Sequence, residues 1–397
     1  MNHIDPDRSI ALTNGRIILP DRVLEGHTLL VSNGIVAAIL RREEIATDIQ
    51  VLDVGGRFIA PGLIDIHIHG AEGRSFNEPI ADSFSTITRA CLARGITSVL
   101  PTIATAAVPD LVASLAVVRS WIASPGSGCS ILGAHLEGPY FSMAQKGAQD
   151  PNHIRHPDDS SVDELLAYSD IMRIMTFAPE LPGALELAAQ LAQLGVVPAM
   201  GHSDARDVEV FNAIKAGARH VIHLWSGQST TIREGAWRKP GILETSLASD
   251  HLTGEMIADN RHLPPTLMKL AWKCFGSDRL CLISDATGGA GLPEGSLFTM
   301  GEVEYVVEGG VGMTLDRTAF AGSTTLLNEM VPIVHQEVGV PLADAVRMAS
   351  LNPARVIGID DRKGSLEADK DADIAIFNED FTAWKTMIGG EWASTAS

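Results

Sequence analysis

Gly62-Leu-Ile-Asp-Ile-His-Ile-His69, or GLIDIHIH, is an apolar run that closes on two histidines. Seven more short apolar runs follow: TSVLPT (Thr97 to Thr102), ILGAHLE (Ile131 to Glu137), IMTFAPE (Ile174 to Glu180), VVPAMGH (Val196 to His202), HVIHL (His220 to Leu224), GEMIAD (Gly254 to Asp259) and LCLISDA (Leu280 to Ala286). Runs of about four to eight apolar residues mark strands buried on both faces, as in a parallel sheet covered by helices. All but TSVLPT end on or beside a His, Glu or Asp. Eight such strands alternating with longer helix-like stretches predict an α/β fold, a TIM-like (β/α)8 barrel whose chemistry sits at the C-terminal rim. His67, His69, Glu137, His202, His223 and Asp285 would then converge on that rim.

Outside these runs the pattern changes. IALTNGRIILP (Ile10 to Pro20) and TLLVSNGIVAAIL (Thr28 to Leu40) read as antiparallel strands turned at Asn14-Gly15 and Asn33-Gly34, since Asn-Gly favours tight hairpin turns. Asn352-Pro353 interrupts the last helical pattern. GSLEADKDADIAIFNED (Gly364 to Asp380) and WKTMIGGEW (Trp384 to Trp392) then read again as strands and turns. The expected organisation is a small β-sandwich built from residues 1–58 and 358–397, with residues 59–357 forming the barrel.

Among 397 residues, 30 are basic and 49 acidic, a formal charge of −19. That balance argues against nucleic acid or an anionic membrane surface as partner, and any anionic small ligand needs a local basic clamp. Cys91, Cys129, Cys274 and Cys281 form no CxxC pair and lack the density of a secreted disulfide scaffold, which predicts a cytoplasmic protein. The first residues, MNHIDPDRSIALTNGRI, lack the apolar core of a signal peptide, and no run approaches membrane-spanning length.

Each candidate has a bland alternative when taken alone. His67 and His69 are two apart on a strand, so both imidazoles share a face, yet an isolated HxH could be one core and one loop histidine. Glu137 could be an ion-paired rim carboxylate, His202 and His223 hydrogen-bonded core residues, and Asp285 a helix N-cap. Together they change meaning. Neutral imidazoles and carboxylates around one cavity are the donor set of Zn²⁺, or of a harder divalent ion such as Mn²⁺ or Fe²⁺. In a metal-hydrolase reading Asp285 takes a proton from water and returns it to the leaving group. His135, alternating with Glu137, faces the same way and could support the ligands.

At these residues the chain resembles the amidohydrolase superfamily and, within it, the N-acetylglucosamine-6-phosphate deacetylases. The matching stretches are PGLIDIHIHG, HLEGPYFS with KGAQDP downstream, TFAPE, MGHSDA, IHLW, RKPG, IADNRH, LISDATGGAG, AGST and LNPAR. PG-x-ID-x-H-x-H alone says only amidohydrolase, whereas HLEGP, GHSDA and SDA in that order are far more specific. The resemblance implies that Glu137, His202 and His223 hold the principal metal. It implies that His67 and His69 hold a second ion that only some members retain, one or two ions per subunit in all, and that Asp285 is the catalytic carboxylate. It places Gln149 where other members use a histidine to polarise the acetyl carbonyl. It implies that Arg238 and His262 bind the sugar phosphate, often across a dimer interface, and hence a homodimer or dimer-based oligomer.

One departure stands out. Where relatives read His-Leu-Tyr/Phe-Asn-Ala-Met, this chain has His223-Leu224-Trp225-Ser226-Gly227-Gln228. Ser226 and Gly227 occupy the substrate-binding asparagine and alanine positions, so the resemblance implies deacetylation more firmly than it names the sugar. The leading expectation is metal-dependent removal of acetyl from an amino-sugar 6-phosphate, N-acetylglucosamine 6-phosphate first. The alternatives are another N-acyl substrate, such as N-acetylgalactosamine 6-phosphate, an unphosphorylated sugar, a sugar acid or an N-acyl amino acid, and a non-catalytic barrel scaffold. The scaffold reading predicts lost ligands, and here HxH, Glu, two His and Asp stand together.

Overall fold

A computed structural model describes residues 6–393. Its central sheet runs parallel through Leu63–Ile68, Ile96–Ala104, Ala134–Glu137, Met172–Phe177, Val197–Met200, His220–Val221, Thr253–Ile257 and Leu280–Ile283, with Ser130–Ile131 pairing Ser98 and Val99 of the second of these. All eight expected strands are present, in chain order. Nearly every strand residue is buried, because helices such as Ala81–Leu92, Val108–Ala123, Ala184–Gln193 and Pro265–Arg279 cover the outer face. The barrel is drawn shut where the eighth strand ends. Asp285 N–H donates to His67 O at 2.9 Å, and His69 N–H donates to Ala286 O at 2.8 Å.

The chain ends build two further sheets. Four strands order as Ile35–Leu40, Thr28–Ser32, Ser9–Thr13 and Gln50–Asp53; a six-stranded sheet combines Arg16–Ile18, Val23–Leu24 and Phe58–Pro61 with Ile374–Phe377, Ala383–Ile388 and Glu391–Trp392. Leu12, Leu29 and Val31 from the first sheet and Ile17, Ile59 and Ile376 from the second share one core, which makes them a sandwich. The C-terminal flank joins through the antiparallel pairing of Ile374–Phe377 with Phe58–Pro61, directly before the first barrel strand.

Of three local expectations, one holds and two are corrected. Asn33-Gly34 does form a hairpin, with Ser32 opposite Ile35 and both turn residues at positive φ. Asn14-Gly15 does not: Asn14 at φ 55° carries the chain across the sandwich, so Ser9–Thr13 and Arg16–Ile18 lie in different sheets, each with a parallel partner. Burial decides this, since Leu12 and Ile17 fill one core from opposite sides. Asn352-Pro353 opens the helix Leu351–Val356 rather than interrupting one, as proline costs little in a first turn whose N–H groups lack helical acceptors.

An antiparallel sheet also intervenes between the eighth strand and the helix Leu327–Ile333. Its strands are Leu297–Met300, Val303–Glu308, Val311–Thr314 and Phe320–Ser323. Turn signals at Gly301 and Gly309-Gly310 were legible in the sequence. Phe298, Met300, Tyr305, Val307 and Ala321 pack this sheet against Ala104 at the rim of the second barrel strand.

Candidate active site

The six rim residues meet. Glu137, last in its strand, is the hub: Oε1 lies 3.0 Å from His223 Nε2, 3.2 Å from His202 Nε2 and 3.6 Å from His67 Nε2, and Oε2 lies 3.3 Å from His69 Nε2. Asp285 Oδ1 stands 3.3 Å from His69 Nε2 and 3.5 Å from His67 Nε2. His202 and Asp285 have φ values of 44° and 47°. That left-handed conformation is unfavourable for side-chain-bearing residues and persists where the surroundings enforce it; here it turns the chain sharply at each strand end.

The ring orientations test whether these residues suit a cation. His69 Nδ1 faces Thr102 O at 3.1 Å, His202 Nδ1 faces Gln145 O at 2.9 Å, and His67 Nδ1 faces Glu255 Oε2 at 2.8 Å. Carbonyls and carboxylates only accept, so each Nδ1 carries a proton and each ring turns its Nε2 toward carboxylate oxygens. Lone pairs facing one another repel unless positive charge lies between them. Burial lowers the pKa of His69 and His223, but Asp285 and Glu137 outweigh it at His69 and Glu137 does so at His223, raising them to about 10 and about 9. Glu137 is held well below the usual carboxylate range, against the effect of burial, by His202, His223 and His69. A cluster that keeps its acids ionised and calls for cationic charge fits a divalent metal with N and O ligands. The triads His67, Glu137, His223 and His67, His69, Asp285 each bring three ligand atoms within 4.8 Å of one another.

Over the cluster lies a cavity of about 170 Å³. His69, Glu137, Gln149, His202, His223, Ser226, Gly227, His262 and Asp285 line it; Met300 and Phe320 from the intervening sheet form an apolar wall. His67 sits beneath, fully buried. Gln149 is locked: Thr105 N–H donates to its Oε1 at 2.9 Å, which turns its amide N–H₂ to Glu137 Oε2 at 2.6 Å. It therefore orients Glu137. His262 is held by Asp259 Oδ2 at 2.7 Å from Nδ1, with the Phe320 ring 5.0 Å away. Arg238 is not brought to this cavity. It lies on an exposed hairpin, Ile232–Glu234 with Trp237–Lys239, beside a Trp237 that is 76% exposed. Gln228 turns inward, donating to Ile222 O and accepting from Trp225 N–H, so its amide does not face the cavity.

His135 lies beneath the cluster: Nδ1–H donates to Ile66 O at 3.1 Å, Nε2 meets Thr176 Oγ1 at 2.8 Å, and its ring packs edge-on against His67. Burial and the neighbouring His67 push it down to about 3, so it is neutral. Glu255 was missed. It is fully buried inside the run GEMIAD, which was read only by its closing residue, Asp259. A carboxylate in the middle of an apolar strand was itself the signal, because buried acids need partners.

The sequence matches the amidohydrolase family over residues 58–393 and the NagA composite domain over residues 10–59. It is 36% identical over 342 residues to the N-acetylglucosamine-6-phosphate deacetylase of Vibrio furnissii, covering 86% of this chain and 84% of that one. It is 32% identical over 380 residues to the N-acetylgalactosamine-6-phosphate deacetylase of Escherichia coli O157:H7, covering 96% and 98%. Among solved structures, the N-acetylglucosamine-6-phosphate deacetylase of Pasteurella multocida superimposes with a TM-score of 0.91 at 29% identity, covering 98% of this chain and all of the other. A Mycobacterium smegmatis homologue, in complex with N-acetyl-D-glucosamine-6-phosphate, gives 0.89 at 29% identity, with coverage of 98% and 100%.

Proposed function

The chain belongs to the amidohydrolase family, and from that premise we propose that it hydrolyses the N-acetyl group of an amino-sugar 6-phosphate, N-acetylglucosamine 6-phosphate first, to the free amine and acetate. The observation that carries this reading is the convergence of four imidazole Nε2 atoms on Glu137 and Asp285, in a chain whose relatives, matched over most of their length, are such deacetylases.

In this reading Glu137, His202 and His223 would hold the principal ion, and His67 and His69 would hold a second. Zn²⁺ suits the donor set, with Fe²⁺ and Mn²⁺ as the other candidates. A bound divalent ion supplies Lewis acidity, polarising the amide carbonyl and acidifying water. Asp285 begins ionised: hydrogen bonding to His69 and the nearby His67 hold its carboxyl low although burial works against them. It would accept the water proton as the water oxygen bonds to the acetyl carbon, then deliver it to the amide nitrogen as the C–N bond breaks, giving the free amine and acetic acid, which ionises to acetate. Gln149 keeps Glu137 in place. His262 presents its free edge to the sugar phosphate, and Arg238 with Lys239 reaches the same group in a partner's cavity, which makes the working unit a homodimer.

A second reading, N-acetylgalactosamine 6-phosphate, rests on a relative of that activity, 32% identical over 380 residues, and on the departure of the cavity-lining Ser226-Gly227 segment from the sequence that other deacetylases carry. Amine release from both epimeric 6-phosphates, their unphosphorylated forms and an N-acetyl amino acid, before and after chelation and on re-addition of Zn²⁺, Fe²⁺ or Mn²⁺, tests the proposal. Turnover that survives complete chelation removes the metal mechanism, and preference for the amino acid removes the sugar assignment.

A further inference from the structure

We infer that Glu255 is a positioning residue that builds the second half of the metal centre, by holding His67 in its Nδ1–H tautomer and tying that ring to the backbone of His223. The inference rests on the metal reading above and concerns a residue that touches neither substrate nor reacting atoms.

Glu255 lies in the seventh barrel strand, Thr253–Ile257, with no exposed surface. Its Oε2 accepts from His67 Nδ1 at 2.8 Å and from His223 N–H at 3.2 Å, and its Oε1 accepts from His220 Nε2 at 3.0 Å. Its main-chain carbonyl also receives Leu224 N–H at 3.0 Å. One side chain thus links the first, sixth and seventh strands beneath the rim. With the proton held at Nδ1, the lone pair of His67 Nε2 points into the cluster. That Nε2 is buried and has no hydrogen-bond partner among the described residues. It stands 3.6 Å from Glu137 Oε1 and 3.5 Å from Asp285 Oδ1, where a ligand atom would be needed.

The choice of acceptor separates His67 from its neighbours. His69 and His202 are oriented by the carbonyls of Thr102 and Gln145, which any residue at those positions supplies. His67 is oriented by a carboxylate. A carboxylate behind a ligating imidazole makes the ring a better electron donor and places negative charge near the cation, as in carboxylate–histidine–zinc arrangements.

The same residues could be taken for another ion site, since His67, His135 and Glu255 bring ligand atoms within 4.8 Å of one another. Hydrogen bonding argues against it. Both ring nitrogens of His135 are engaged, by Ile66 O and Thr176 Oγ1, and both oxygens of Glu255 have donors. The group is a hydrogen-bonded floor under the metal centre.

Glu255 meets His67 through the ring and His223 through the main chain, so loss of its charge should weaken an ion held by His67 and His69 more than one held by Glu137, His202 and His223. The experiment compares wild type, Glu255→Gln, His67→Asn and the double variant. Metal stoichiometry and chelator-competition affinities are read alongside circular dichroism. Glu255→Gln should bind the first ion near normally and the second about 10–100-fold more weakly. In the His67→Asn background the same change should cause no further loss. Equal stoichiometry and affinity in wild type and Glu255→Gln would overturn the inference. A second measurement does not depend on Glu255→Gln folding: in metal-free wild type labelled with ¹⁵N-histidine, the His67 resonances, assigned through His67→Asn, should report a proton on Nδ1. An Nε2–H or mixed tautomer would overturn it as well. A wild type that takes up no divalent ion sinks the metal reading itself, an outcome visible without any Glu255 variant.

Discussion

A Cβ added to Gly227 would stand 2.6 Å from His202 Nδ1, closer than packed side chains approach, and 3.1 Å from the Gln145 carbonyl that holds that nitrogen. Gly227 also has φ 57°, a conformation open to glycine and strained for alanine. The altered loop therefore does more than change the cavity wall, since it leaves room for the hydrogen bond that orients His202. Gly227→Ala should fold, lose about tenfold or more in affinity for the principal ion, and lose kcat/KM at limiting metal. Competition with a chelator and a metal titration of activity check this; unchanged affinity would mean that the loop relaxes without moving His202.

Asp285→Asn removes the carboxylate proposed to carry the proton and keeps the shape. The expected outcome is a fall in kcat of about 10²–10⁴-fold with metal content retained, the usual size of a general acid–base contribution. Turnover and metal analysis on one preparation test it. A kcat near that of wild type would reassign Asp285 to structure.

Arg238→Ala should leave fold and metal binding intact because the side chain is exposed on its hairpin. If it grips phosphate in a partner's cavity, kcat/KM for the 6-phosphate falls roughly 10–100-fold, the equivalent of about 1.5–3 kcal/mol for a lost charge-assisted contact. The unphosphorylated sugar should show no such fall. Mixing Arg238→Ala with Asp285→Asn subunits should restore part of the activity, since one kind of mixed site is then complete. Absence of recovery in proven mixed dimers would place phosphate recognition within one chain.

His135 predicts a pH effect on stability. Its imidazole, near pKa 6.5 when unfolded, is pushed to about 3 in the fold by burial and by His67. Between those values the unfolded chain takes up a proton that the folded chain refuses, so stability falls as pH drops from about 6.5 toward 3, by up to about 1.4 kcal/mol for each pH step. His135→Gln can donate to Ile66 O and accept from Thr176 without titrating. Metal-free His135→Gln should therefore lose less Tm between pH 6.5 and 4.5 than metal-free wild type. Parallel thermal melts decide it, and identical slopes would assign the acid sensitivity to other groups.

The barrel was legible because its signals are local. Each strand is a short apolar run, and each rim residue stands at or beside a run's end, so His67, His69, Glu137, His202, His223 and Asp285 could be picked out before any contact was known. Asn33-Gly34 worked for the same reason: a two-residue turn carries its conformation in its own side chains and backbone. Asn14-Gly15 misled because the same dipeptide also suits a single left-handed step, and only the shared burial of Leu12 and Ile17 selects the crossing between sheets. The apolar wall of Met300 and Phe320 was hidden because a sheet inserted after the eighth strand folds back over the rim.

What the sequence by itself determined is the kind of donor and the strand end that carries it. What only the tertiary structure decided is how each donor is turned. The acceptors behind His69, His202 and His67 lie 33, 57 and 188 residues away in the chain, and barrel closure alone brings them within hydrogen-bond range. A histidine's protonated nitrogen is chosen by the partner it meets, and hydrogen bonds act over about 3 Å in space irrespective of chain separation.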